Sequence, residues 1–136
     1  MRVFLDTNVV LDFLTGREPF ADAAEAVVEY CTWDGNTGAI TTLSACNIVY
    51  VLAKALGRTE AEAKLGQLLE LLELIGVSPE SVRRGLQVPH TDFEDEVQLS
   101  EALAWRAEAV VTRDVRGFKA SPIPVFRPSE FVERFL

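Results

Sequence analysis

Four short apolar runs punctuate this chain: Val3-Phe4-Leu5, then residues 38–43, 109–112 and 123–126, with longer helix-patterned stretches between them. That alternation constrains the fold more than any other feature. A compact apolar run without polar alternation is a strand covered on both faces. Strands separated by helical segments join through crossovers, and crossovers make a parallel sheet with helices on both sides. The expectation is therefore an α/β protein with a central parallel sheet of four to five strands, Val77 supplying a further short strand.

The helical signals fill the gaps. Residues 9–14 read as a short helical turn, and Pro19 suits a first helical position. Ala23, Ala24, Val27, Val28 and Cys31 recur at helical spacing, with Asp22, Glu25 and Glu29 on the other side. Ser44 reads as an N-cap, with Leu43 and Ile48 as its hydrophobic staple, and Gly57 as the stop. Thr59 with Glu62 reads as a capping box for a helix running to Ile75. Ser78-Pro79 opens another helix, Asp92 caps one over roughly 93–107, and Pro128 starts the last. At 136 residues, with no linker, repeat or low-complexity tract, the chain is expected to form one domain.

The aspartates fall at informative places in this pattern. Asp6 ends the first run, Asp114 follows the third by two residues, and Asp95 lies at a helix start. In a parallel sheet the carboxyl ends of neighbouring strands share one crevice, where ligands bind. Two carboxylates ~5 Å apart repel by about 3 kcal/mol at an effective dielectric of ~20, and three by about 10 kcal/mol. Such a set stays apart, holds protons or binds a metal, and metal-bound aspartates point to phosphoryl-transfer or hydrolytic chemistry.

Each candidate has a plainer reading beside the chemical one. Asp6, followed by Thr7 and Asn8, suits a helix cap as well as a metal ligand. Asp92 and Glu96 fit an acidic first turn favoured by the helix dipole, Glu94 fits either role, and Asp12 reads as a solvated helix residue. Asp95 differs, because Val97, Ala102, Leu103, Ala104 and Trp105 surround it with apolar bulk, where an unpaired charge is expensive. Arg113, Arg116 and Lys119 place three cations within seven residues and are the candidate contacts to a phosphate backbone. Arg83 and Arg84 read as a solvated pair. The single histidine, His90, reads as a loop residue, with base or ligand as its alternative.

The net charge of −8 argues against broad nucleic-acid affinity, but bound divalent ions invert a local field, so a nuclease remains compatible. Cys31 and Cys46 read as reduced, packed thiols. No apolar stretch is long enough to span a membrane, and Asp6, Asn8 and Asp12 interrupt any signal core, so a cytoplasmic protein is expected.

Three segments resemble the motifs of PIN-domain ribonucleases. Residues 3–12, Val-Phe-Leu-Asp-Thr-Asn-Val-Val-Leu-Asp, look like the first. Phe93-Glu94-Asp95-Glu96-Val97-Gln98 looks like the third, and Val110 to Asp114 followed by Gly117-Phe118 like the fourth. The C-terminal residues 123–131 fit the family's last strand and helix. The resemblance implies a three-layer α/β/α sandwich, Mg²⁺ or Mn²⁺ held by Asp6, Asp95 and Asp114, and hydrolysis of RNA. Beside these, Asn47, Thr7, Thr112, Glu94 and Asp92 are the candidate supporting residues, with Thr7 or Thr112 placed to orient water. Many members are VapC-type toxins inhibited by an antitoxin that uses helices equivalent to residues 44–75, and homodimers are common. One departure stands out: the family's second motif usually carries a glutamate where this chain has Asn47, which brings a carbonyl oxygen but no charge.

Two alternatives stay open. One is a catalytically weak module that binds RNA or a basic protein without cleavage, motivated by Asn47 and the acidic balance. The other is a haloacid-dehalogenase-like phosphatase with Asp6 as nucleophile. That class expects a second aspartate where Asn8 stands.

Overall fold

A computed structural model describes residues 1–89 and 92–136; His90 lies outside the described residues. The strands are β1 (Arg2–Leu5), β2 (Thr37–Thr41), β3 (Glu73–Ile75), β4 (Ala109–Val111) and β5 (Val125–Phe126). They form one parallel sheet in the order β3-β2-β1-β4-β5. The chain builds outward from β1 in one direction and then returns to its other side. The gap between β1 and β4 is thus the point where the winding reverses, which is where open α/β sheets hold ligands.

Strand periodicity explains the three layers. Val3 and Leu5 of β1 face one core with Val111 of β4, while Phe4 and Val110 face the other. The first core is closed by α1 (Thr7–Thr15), α2 (Ala21–Thr32), α3 (Thr42–Leu56), α4 (Arg58–Leu68) and α7 (Pro128–Phe135). The second is closed by α6 (Phe93–Ala104) and Phe118, with α5 (Pro79–Gly85) packed on α6. The sequence pattern of unbroken apolar runs thus reflects burial on both faces. Among the described residues no helix is long and apolar enough to cross a membrane.

Several expected boundaries shift. The turn over 9–14 is a nine-residue helix capped by Asp6, whose carboxylate accepts from the Thr7 amide. Pro19 lies ahead of α2 rather than inside it, because the backbone turns through Arg17–Phe20 first. Thr41, not Ser44, caps α3: the Thr41 hydroxyl accepts from the Ser44 amide at 3.1 Å, so the helix starts three residues early and Ser44 points into the interior. The staple expected at Leu43 loses its geometry with that cap.

The largest difference falls in residues 59–76. α4 starts at Arg58 after Gly57, without a side-chain cap, and ends at Leu68. Residues 73–75 then leave the helical layer and pair with β2, Leu74 opposite Ile40. The third strand is therefore here and not at Val77. A leucine-rich run is compatible with either periodicity, and pairing with the free edge of β2 decides it.

Candidate metal and phosphodiester site

The site begins with the ends of two strands. The Asp6 amide donates to the Val111 carbonyl at 3.0 Å, extending the β1–β4 ladder one residue past the strand. This fixes Asp6 beside Thr112. The Thr112 hydroxyl donates to Asp6 Oδ2 at 2.8 Å and accepts from the Asp114 amide at 3.0 Å. Asn8 closes the same loop: its Nδ2 reaches Asp6 Oδ2 at 3.3 Å, and its Oδ1 accepts from the Arg113 amide at 3.2 Å. Thr7 and Asn8 are thus positioned by being the first residues of α1, and Asp6 serves as helix cap and cleft wall together.

The second wall is the start of α6. Asp92 is exposed and caps the helix, accepting from the Asp95 amide at 3.1 Å. That turn places Glu94 and Asp95 toward Asp6 and Asp114 across a cleft of about 270 Å³, lined also by Thr7, Asn8 and Leu11. Asp95 is further set by Gly117 in the 3-10 turn Val115–Phe118, where any Cβ would overlap its carboxylate. Glycine is required there for close approach.

Under the cleft lies a buried polar network. Gln98, one turn after Asp95, accepts from the Thr41 hydroxyl at 2.7 Å and donates to the Ser44 hydroxyl at 2.8 Å and to Thr7 at 3.4 Å. The Ser44 and Thr7 hydroxyls are 2.6 Å apart. Ser44 is fully buried and Thr7 lines the cleft. Either hydroxyl of that pair can donate to the other. Gln98 thus ties β2, α1, α3 and α6 together and holds a hydroxyl at the cleft wall.

The electrostatics follow from burial. Burial pushes the Asp6 carboxyl up, against the hydrogen bonds from Thr112 and the Thr7 amide, with Glu94 and Asp114 adding to the rise. Burial pushes Asp95 up to about 7, reinforced by Asp6, Asp92, Asp114 and Glu94. Among the described residues no hydrogen bond to its carboxylate offsets that rise. Among the described residues the cleft is a concentration of negative charge with no cation in its lining, and the groups it offers a metal are oxygens. That set fits a hard divalent ion such as Mg²⁺ or Mn²⁺. Among the described residues, however, no three acidic, cysteine or histidine side chains already stand in ligating geometry. The carboxylates line one cleft without meeting at a point.

The PIN domain model matches residues 2–116, from β1 into the 3-10 turn. The chain belongs to the PIN-domain family. No curated protein matches its sequence. Among solved structures it is similar to VapBC2 from Rickettsia felis bound to a promoter DNA fragment, at 22% identity over 93% of this chain and 98% of that one, TM-score 0.66. A toxin–antitoxin complex from Klebsiella pneumoniae matches at 22% identity over 93% and 97%, TM-score 0.70. VapC20 from Mycobacterium tuberculosis, a toxin that cleaves the sarcin–ricin loop, matches at 12% over 87% and 94%, TM-score 0.71. At these identities the likeness concerns the fold.

Of the sequence-derived candidates, the PIN-domain cleft brings together Asp6, Thr7, Glu94, Asp95, Asp92 and Asp114, with Thr112 one hydrogen bond behind. Asn47 stands outside the lining and donates to Glu94 Oε1 at 3.4 Å, so it tethers a carboxylate rather than offering a charge. The basic trio does not act as a unit. Arg113 turns away from the cleft to pair with Asp12 at 2.5 Å, while Arg116 and Lys119 are exposed and outside the lining. Asp12 is therefore a buried ion-pair partner, not a solvated residue, because Arg113 arrives from β4 to cover it. Glu96 lies in the acidic first turn of α6 as expected and is also buried, its Oε1 without a hydrogen-bond partner among the described residues, and Ala104 is exposed. Cys31 is buried and Cys46 exposed, both free, so only Cys31 is packed as expected. Gln98 and Thr41 carry no signal for this network, and Ser44 signals only a cap. The one hint is a polar Gln98 between Val97 and Leu99, both buried.

Proposed function

We propose that this PIN domain is a cytoplasmic, divalent-metal-dependent endoribonuclease. The observation that carries the reading is the set of Asp6, Glu94, Asp95 and Asp114 around one cleft at the β1–β4 winding reversal, with burial and mutual repulsion raising Asp6 and Asp95. Asp6, Asp95 and Asp114 would hold one or two Mg²⁺ or Mn²⁺ ions. When bound, such an ion supplies Lewis-acid stabilisation of a phosphate oxygen and acidifies water. The chain's own residues do the rest. Thr112 and Asn8 hold the Asp6 carboxylate in one orientation, Gln98 holds the Thr7 hydroxyl at the cleft wall, and Asn47 restrains Glu94.

The similarity to VapBC2 and to a toxin–antitoxin complex supports a second element of the proposal: the chain acts as the toxin of a toxin–antitoxin pair, restrained by a protein antitoxin. A homodimer is proposed with it, on the family resemblance alone. The metal part is tested by thermal unfolding of wild type and Asp95→Asn with and without millimolar Mn²⁺. Mn²⁺ is expected to raise the wild-type midpoint and leave the variant unmoved, since a ligand of the native state stabilises by mass action. An unmoved wild type would favour the non-cleaving binding module instead.

A further inference from the structure

Arg113 connects the acidic cleft to a second pocket. Its amide is held by Asn8 inside the cleft wall, while its guanidinium leaves on the other side, pairs with Asp12 and stands 4.4 Å over the Phe20 ring. Phe20 lines a pocket of about 360 Å³ together with Pro19, Arg113, Arg127 and Pro128, within the range of small-ligand pockets. The Arg17 guanidinium lies 5.7 Å from the same ring. Two guanidinium groups, those of Arg113 and Arg17, thus stand over one half-buried aromatic ring, and Arg127 lines the pocket beside it, in a chain of charge −8.

Their charges are not equally committed. Arg113 is neutralised by buried Asp12 and shapes the pocket more than it attracts. Arg127 pairs with Glu130 at 3.2 Å, but both side chains are about half exposed, 52% and 49%, so the pair is weak and readily exchanged. Arg17 is exposed and forms no ion pair among the described residues, with Glu18 exposed beside it. An aromatic face edged by available cations is the arrangement that holds single-stranded nucleic acid, the base stacking and the backbone meeting the charge.

We propose that this pocket binds one nucleotide of single-stranded RNA next to the cleaved bond, its base against Phe20 and its phosphate on Arg17 and Arg127. The identity of the polymer rests on the ribonuclease reading; the pocket itself does not. Its function is to hold an anionic strand beside a cleft that repels one until metal binds.

The test is a fluorescence-anisotropy titration of the full chain with a labelled single-stranded RNA oligonucleotide in Ca²⁺, followed by cleavage kinetics in Mn²⁺. Arg17→Glu and Arg127→Glu are each expected to weaken RNA binding about tenfold, as loss of a phosphate contact does. Phe20→Ala should weaken it about fivefold or more, as loss of a stacked base does. The weakening should appear in KM with kcat kept. Arg58→Glu, an equal charge change on exposed α4, should leave binding within about twofold. Arg17 lies on an exposed turn, so its variant decides the matter even if Phe20→Ala fails to fold. RNA binding unchanged by the Arg17 and Arg127 variants, or absent from wild type, overturns the pocket. RNA bound through these residues but never cut in Mn²⁺ keeps the pocket and removes the ribonuclease reading. RNA cut in Mn²⁺ with all variants at wild-type KM does the reverse.

Discussion

Neutralising Asp95 should stabilise the metal-free protein at neutral pH, and the gain should vanish in acid. The Asp95 carboxyl is raised from its ordinary 3.8 to about 7, burial first, then Asp6, Asp92, Asp114 and Glu94. Because the folded carboxyl holds its proton more tightly than the unfolded one, the native state binds more protons between about pH 4 and pH 7. Stability contributed by this group is therefore greatest in acid, falls as pH rises through that window, and stays low above it. At ~1.36 kcal/mol per pH unit the full difference is about 4 kcal/mol. Asp95 is only partly buried, and solvent screening reduces the effect to about 2 kcal/mol. For a domain of this size that is about 6–10 °C in Tm. The assay is thermal unfolding in EDTA at pH 4.0 and 7.5 for wild type and Asp95→Asn. Comparing the two proteins at each pH cancels the carboxylates that do not face Asp95. The variant should melt higher at pH 7.5 and nearly level with wild type at pH 4.0. A gap that is independent of pH, or a variant less stable at pH 7.5, would refute the argument that Asp95 carries an uncompensated charge.

Three other outcomes follow from the same geometry. Gln98→Leu leaves the Thr41 and Ser44 hydroxyls with a lost partner in the interior and should cost about 3 kcal/mol in urea unfolding, whereas Gln98→Glu should retain the Thr41 contact and recover part of it. Gly117→Ala pushes a methyl group into the Asp95 carboxylate; Mn²⁺ affinity by calorimetry should fall at least about tenfold, since misplacing a metal-site group costs on that scale, while the melting temperature changes little. Asp12→Ala strands the Arg113 guanidinium and should destabilise by about 2–3 kcal/mol, less than for a fully buried pair because Arg113 is 26% exposed.

Much of this architecture was legible because local signals agreed. The apolar runs of β1 and β4, the Asp92 cap, the Ser78-Pro79 helix start and the Gly57 stop each appear where local chemistry places them. What was not legible depended on partners distant in sequence. Asp12 looks like any exposed helix acid until Arg113, 101 residues away, covers it. Ser44 looks like a cap until Thr41 takes that role and Gln98 claims the hydroxyl. The run 65–75 has no local mark of where helix yields to strand, because the deciding contact is the edge of β2. The acidic cleft itself was inferable from strand ends alone, since a parallel sheet brings the carboxyl ends of β1 and β4 together whatever the loop lengths. The absence of cations from its lining among the described residues was not, because Arg113 had to be seen turning away.

The most direct test of the cleft's proposed role is single-turnover cleavage of single-stranded RNA by wild type and Asp6→Asn, with Mn²⁺ and with EDTA. Cleavage by wild type in Mn²⁺, none in EDTA, and loss of at least about a hundredfold in a folded Asp6→Asn protein is the expected result, as for removal of a group acting on the transition state. Equal cleavage by Asp6→Asn, or by wild type in EDTA, would contradict it.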